Sequence, residues 1–404
     1  MARYRGNLTC SLLLLFSLLA AAKAQAPQID ITQAPPPIVF KSWQEVEETD
    51  DGTEYLETFP SPVVSSYPQN NIVPLRVFIP VTKKPANVVL IFHYWGATDL
   101  KLERTLATEL NRKGIAAAVM TLPYHLTRTP AGYRSGELAI DPDPDRLKAT
   151  MSQSVQDARR ALDFLATRSE IRMDKVGVSG TSLGAIVTAL VAATDERVTQ
   201  ASFLLGGVDI AHVLWTSSRV VPQRDMMRRR GITEEKLRKQ LADVEPGTLL
   251  KKHHPASSFV VGGQFDTVVP RQSTEELIDV LQTKNVLWID TGHYGGMFVQ
   301  RRLMREVATY YNSEFNGNAF VTPNKLYAPT IRLGASVDAP GGLDIGIGLD
   351  LLKFDRRGDA FAALFITPRG PKVFAGASLA QGFAIGVFGS AKGLSAGLMW
   401  SVVL

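Results

Sequence analysis

The stretch Gly180-Thr181-Ser182-Leu183-Gly184 constrains this chain more than any other. An apolar run, Val176-Gly177-Val178, leads into it, and a second, Ala185-Ile186-Val187-Thr188-Ala189-Leu190-Val191, leads out. A G-x-S-x-G sequence between two such runs predicts a strand, a tight reversal and a helix, with the serine hydroxyl exposed on a strained turn. Small residues flank the serine because larger side chains would collide where the chain reverses. The helix N-terminus behind it favours negative charge.

A serine hydroxyl is a weak nucleophile until a base removes its proton, and the base needs an acid to orient it. Two downstream segments supply both. In Phe259-Val260-Val261-Gly262-Gly263-Gln264-Phe265-Asp266 an apolar strand runs into a turn carrying Asp266. In Val286-Leu287-Trp288-Ile289-Asp290-Thr291-Gly292-His293 a short strand ends at a histidine. The chain order is serine, acid, histidine, each at the carboxyl end of an expected strand, which is the edge where open α/β sheets build their sites. Asp290 is a rival acid, but it sits inside the last strand and only a few residues from His293. Asp266 could alternatively cap a helix beginning near Arg271.

These residues together resemble the α/β-hydrolase superfamily over about 53–315, closest in character to dienelactone hydrolase-like and prolyl-peptidase-like serine esterases. The resemblance implies Ser182 as nucleophile, His293 as general base and later general acid, and Asp266 as the residue orienting the imidazole. It also implies an oxyanion hole. Asn87-Val88-Val89-Leu90-Ile91-Phe92 reads as a strand followed by His93-Tyr94-Trp95-Gly96, where family members carry His-Gly-x-Gly. Tyr94 thus replaces a glycine. The backbone N–H of Trp95, with Tyr94 as second choice, is expected to act with that of Leu183.

The other histidines carry no comparable signal. His93 belongs to the strand end, His125 to a loop, and His212 to a helical segment. The adjacent pair His253-His254 lacks further ligands at metal-site spacing. No H-E-x-x-H or paired-cysteine pattern occurs, and Gly206-Gly207 and Gly262-Gly263 lack the dinucleotide spacing. The expectation is therefore no metal and no cofactor. Lys and Arg number 44 against 39 Asp and Glu, a net +5. Much of the excess clusters between Arg224 and Lys252, where acidic residues intersperse and aromatic interleaving is missing, so nucleic acid is not an expected partner.

Arg3 and Arg5 precede an apolar core over 12–22, and Ala22-Lys23-Ala24 offers a small-x-small cleavage site. This predicts an export signal over 1–24 and a periplasmic, envelope or secreted protein, in bacterial style. The core is shorter than the roughly 20 apolar residues that span a bilayer. The only cysteine, Cys10, lies in that leader. A mature chain cut after Ala24 would have no disulfide and would depend on its core.

Residues 25–52 read as a linker, Pro-rich and disordered over 25–38. Within 53–315, strands over 53–59, 74–80 and 115–122 and amphipathic helices over 100–112 and 146–167 predict a mostly parallel sheet with helices on both faces. A helical insertion over about 208–254 occupies the position of a lid, with one helix expected over 234–244. Leu214, Trp215, Met226 and Met227 could line an acyl pocket, though such residues are more often plain packing.

From about residue 327 a two-residue alternation replaces the helical pattern. Leu343, Ile345, Ile347, Leu349 and Leu351 alternate with Asp344, Gly346, Gly348 and Asp350. Turn signals divide 320–404 into about six antiparallel strands. The favoured expectation is a soluble β domain whose apolar face packs on itself or on the hydrolase. An outer-membrane element or an oligomer contact through 327–404 is the alternative. The sequence as a whole reads as an exported serine hydrolase acting on a small-molecule or lipid-like carboxylic ester. Peptidase or thioesterase chemistry would use the same residues, and a non-catalytic envelope protein working through its β tail is the rival.

Overall fold

The computed structural model describes residues 29–323, 326, 331–339, 342–354, 360–380 and 382–403. The expected export signal, 1–24, lies outside the described residues. A nine-stranded sheet forms the centre of the molecule. Its strands are β1 (Gln44–Thr49), β2 (Gly52–Pro60), β3 (Ile72–Pro80), β4 (Ala86–Phe92), β5 (Ala116–Met120), β6 (Ile171–Thr181), β7 (Val198–Leu204), β8 (Ser257–Gly263) and β9 (Val286–Ile289). The spatial order is β1-β2-β3-β5-β4-β6-β7-β8-β9. Pairing is antiparallel from β1 through β3 to β5, and parallel from β5 to β9.

Parallel neighbours require crossovers, and helices supply them. They are α1 (Lys101–Asn111), α2 (Pro144–Leu165), α3 (Leu183–Thr194), the lid helices α4 (Ile210–Thr216), α5 (Val221–Arg229), α6 (Glu234–Gln240) and α7 (Pro246–Leu250), then α8 (Arg271–Leu281) and α9 (Gln300–Phe315). The helix expected over 234–244 ends at Gln240 and resumes as a 3-10 turn, Ala242–Val244. All of β4 is buried because helices cover both sheet faces, which is why it reads as an unbroken apolar run. Val88, Leu90 and Phe92 join Leu162 and Leu190 on one side. Val89 and Ile91 join Leu106, Leu110 and Tyr311 on the other.

The expected disordered linker is corrected from residue 29 onward. Ile31 is 3% exposed. Phe40 sits edge-on to Phe164 at 5.3 Å, and Trp43 stacks on Tyr55 at 4.4 Å. Gln156 and Arg160 donate to the carbonyls of Gln33 and Pro36. The prolines keep this strap extended, and the few apolar side chains between them are enough to dock it. It ends in β1, a strand absent from the sequence reading.

The tail forms a closed antiparallel barrel of six strands. They are β10 (Ile331–Asp338), β11 (Gly342–Lys353), β12 (Ala360–Thr367), β13 (Gly370–Ala380), β14 (Phe383–Ser390) and β15 (Gly393–Val403), with β15 pairing back to β10. The reading in which the apolar face packs on itself or on the hydrolase is overturned. Leu343, Ile345, Ile347 and Leu398 are exposed on the outside. The inside holds Phe361, Phe365, Phe374, Phe388 and Met399, together with ion pairs. Arg332 meets Asp350 at 2.7 Å, and Lys372 meets Asp338 at 2.8 Å and Asp344 at 2.6 Å. Six strands enclose too narrow a lumen for several full rows of Leu and Ile. Gly376 and Gly386 face each other across β13–β14, where a Cβ on either would approach the other's Cα to 2.7 Å.

Candidate active site

Ser182 sits between β6 and α3 with φ 56° and ψ −115°. A non-glycine residue held in the positive-φ region is strained, and the surroundings explain how it is held. Its N–H donates to Leu204 of β7 at 2.8 Å, and its carbonyl starts α3 by accepting from Ala185. Behind it, a Cβ on Gly184 would come within 2.7 Å of the His93 carbonyl oxygen, so helix and oxyanion loop touch only because that position is glycine. Beneath β6, the Tyr311 hydroxyl donates to the Val178 carbonyl, and the Ser202 hydroxyl donates to Ser179.

Asp266 follows β8 and His293 follows β9. The Ser182 Oγ lies 3.0 Å from His293 Nε2, and His293 Nδ1 lies 2.7 Å from Asp266 Oδ2. Asp266 Oδ1 accepts the N–H groups of Val268 and Val269 at 2.8 and 2.9 Å. With Oδ1 occupied by two donors, Oδ2 is directed at the ring and takes the Nδ1 proton, which leaves Nε2 free to accept from the serine. All three residues are buried, and Ser182 and His293 line a cavity while Asp266 lies behind the ring. The alternative role of Asp266 as a helix cap is not realised, because Pro270 occupies the position before α8 and no side chain caps it.

The rival acid Asp290 is engaged elsewhere. Lys353 of β11 donates to its carbonyl oxygen at 2.6 Å and to its carboxylate at 3.2 Å. The same ammonium lies 4.0 Å over the ring of Phe265, the neighbour of Asp266.

His93, which opens the segment matched to His-Gly-x-Gly, and His125, read only as a loop residue, brace the loop after β4. His93 Nε2 accepts from the Leu122 N–H, so its Nδ1 carries the proton and donates to the Tyr94 carbonyl at 2.9 Å. His125 Nε2 accepts from the Gly96 N–H, and its Nδ1 donates to the Pro123 carbonyl. Burial is the main reason their pKa values fall to about 4 and about 3, which keeps both rings neutral as these bonds require. The N–H and C=O of a trans peptide point opposite ways. With the Tyr94 carbonyl drawn inward to His93, the Trp95 N–H is turned the other way, whereas the Gly96 N–H is committed to His125. Tyr94, Trp95 and Leu183 all line the cavity with Ser182.

The cavity measures about 480 Å³. Its walls include Leu183, Ile186, Leu205, Val213, Leu214 and Met304. Of the lid residues singled out in the sequence, Leu214 lines it. Met227 is buried in the core, Met226 is exposed, and Trp215 lies under the guanidinium of Arg228. Arg219, between α4 and α5, also lines the cavity. It sits 5.0 Å over Trp95 and donates to the Tyr294 hydroxyl at 2.8 Å. No cluster of His, Cys, Asp and Glu able to hold a metal occurs among the described residues.

Residues 147–312 match the prolyl oligopeptidase family, peptidase S9. The fold is that of α/β hydrolases. An acetyl xylan esterase from Paenibacillus sp. R4 superposes with a TM-score of 0.53 at 19% identity, over 65% of this chain and 86% of that one. Acetyl xylan esterase 1 from Thermoanaerobacterium sp. JW/SL YS485 does so with a TM-score of 0.52 at 18% identity, over 67% and 89%. A search of curated proteins by sequence finds no match.

Proposed function

We propose that this chain, an α/β hydrolase of the serine type, cleaves carboxylic esters with an apolar acyl group through a Ser182–His293–Asp266 triad. The observation that carries the proposal is the continuous hydrogen-bonded line from Asp266 through His293 to Ser182, opening into an apolar cavity. Ser182 Oγ attacks the ester carbonyl carbon while its proton passes to His293 Nε2. The carbonyl oxygen becomes an oxyanion, held by the N–H groups of Leu183 and Trp95, and Asp266 stabilises the imidazolium. Collapse expels the alcohol, which takes the proton from His293, and leaves an acyl-enzyme. A water then repeats the sequence: its proton goes to His293, its oxygen forms the acid, and Ser182 is regenerated.

A cavity of this size falls in the range of about 300–1,000 Å³ typical of small-molecule sites. Its aliphatic walls suit an acyl chain better than a charged peptide. The test is labelling with a fluorophosphonate, followed by kinetics on p-nitrophenyl esters of increasing acyl length. Labelling is expected at Ser182, and Ser182→Ala should abolish both labelling and turnover while the protein remains folded. Turnover surviving in Ser182→Ala would refute the reading. Faster cleavage of aminoacyl p-nitroanilides than of the esters would favour a peptidase, the activity named by the matched family. The leader over 1–24 supports export, and N-terminal sequencing of the protein from its producing cell would test it by locating a cut after Ala24.

A further inference from the structure

The barrel is built inside out relative to a water-soluble one. Every charged residue described in its strands points inward or toward the hydrolase: Arg332, Asp338, Asp344, Asp350 and Lys372 are buried in the interior, and Lys353 holds Asp290. The outward positions carry Leu, Ile, Val, Phe, Trp and small residues. Val337, Ile345, Ile366, Val373, Val387 and Leu398, one from each strand, are all between 44% and 69% exposed. The apolar surface therefore runs around the whole circumference.

Three further features run along the axis. Phe354, Phe383 and Trp400 are exposed, and all three sit at the rim nearer Lys353, with Phe383 and Trp400 directly paired. The turns at the opposite rim hold Arg369 and Lys392. The strands are 8 to 12 residues long. At about 3.3 Å per residue and a tilt near 40° they span roughly 20–30 Å, which matches the apolar band of about 25 Å on membrane barrels.

We propose that the barrel of residues 331–403 is embedded in a lipid bilayer and anchors the hydrolase to the membrane surface, with Phe354, Phe383 and Trp400 at the interface. A second copy or another protein would cover one side of the cylinder and leave the rest in water, whereas lipid covers all sides at once. The interior needs no channel. Aromatic rings and ion pairs fill it, with Arg332 stacked 3.9 Å over Phe361. Six strands are fewer than the eight of the smallest known single-chain membrane barrels, so the anchor would be a minimal one.

The experiment uses the full chain and unilamellar vesicles of phosphatidylethanolamine and phosphatidylglycerol, some containing brominated acyl chains. The protein is expected to float with the vesicles and to resist release by high salt. Brominated lipid should quench a fraction of its tryptophan fluorescence, and the conservative Trp400→Phe should remove that fraction. Ile345→Lys and Val387→Lys should each lower the vesicle partition constant about thirtyfold, with hydrolysis in detergent unchanged. A chain that stays monodisperse in detergent-free buffer without floating, as monomer or as oligomer, overturns the proposal. So does flotation undiminished in both lysine variants, or quenching unaffected by Trp400→Phe.

Discussion

Asp266→Asn offers a quantitative test of the site, because the structure dictates how the new amide must sit. Oδ1 of Asp266 accepts two backbone N–H groups, from Val268 and Val269. An asparagine can meet both only with its carbonyl oxygen, since its NH₂ turned toward them would oppose donor to donor. The NH₂ is then presented to His293 Nδ1, which must become an acceptor. The ring proton moves to Nε2 and faces Ser182, and the base is lost without displacement of a single heavy atom. In a serine triad the wrong tautomer lowers kcat about 10⁴-fold, or roughly 5 kcal/mol at about 1.36 kcal/mol per tenfold. The assay is kcat for p-nitrophenyl butyrate, with thermal melts to confirm an intact fold. Asp290→Asn is the comparator, expected to stay within tenfold of the parent because the amide oxygen can still accept from Lys353. A folded Asp266→Asn within tenfold of the parent, or a deeper loss in Asp290→Asn, would refute the reasoning.

Three other perturbations follow from buried charge. Glu103 on α1 has no hydrogen-bond partner for either carboxylate oxygen among the described residues, and burial pushes its pKa up to about 7. Its folded-state pKa lies above the unfolded value, so the native state binds the extra proton and loses stability as pH rises from about 4.5 through 7. Guanidinium titrations should therefore show Glu103→Gln gaining on the parent between pH 5 and pH 8, by about 3 kcal/mol at most, and an equal difference at both pH values would contradict this. Arg128 and Asp157 form a fully buried pair at 2.8 Å. Asp157→Asn should cost about 3–5 kcal/mol by leaving the guanidinium uncompensated, checked by the same titration. Lys353→Met should lower kcat tenfold to a hundredfold through misplacement of the loops carrying Asp266 and His293, with KM little changed. A fall in expression alone, with normal kcat, would count against it.

Most of the sheet, though not its edge strand β1, was legible in the sequence because its signals are local. Continuous apolar runs mark strands covered on both faces, and amphipathic spacing over 146–167 marks most of α2, whose first turn, from Pro144 after the Asp143 cap, lay outside that range. The serine, acid and histidine order singled out three residues that the structure brings into hydrogen-bond contact. What stayed hidden depends on pairing across distance. His93 was placed only by its segment and His125 only as a loop residue, because their work lies in bonds to Leu122 and Gly96, which no spacing announces. The strap over 29–43 was obscured by its prolines, since composition reports what cannot be helical and says nothing of Phe40 meeting Phe164. The barrel's orientation was hidden for a different reason. Period-two alternation shows that a strand has two unlike faces, but it does not show which one turns inward. The decisive clue is charge arithmetic on the polar face. Arg332, Lys372 and Arg369 can neutralise Asp338, Asp344 and Asp350 only if the barrel closes around them.

Lys353 lies in the C-terminal barrel, yet it touches Asp290, three residues before His293, and Phe265, the residue before Asp266. The acid and the base are thus steadied by a side chain synthesised after both. A polypeptide emerging N-terminus first would expose Ser182, Asp266 and His293 before β11 existed to tie down their loops. Nascent or truncated chains should accordingly be sluggish hydrolases, with full turnover arriving only as the last hairpins close. Activity would then mark completion of the whole molecule, a property measurable by following ester turnover and barrel formation side by side during refolding. Turnover that recovers well before the barrel forms would show that the two events are independent.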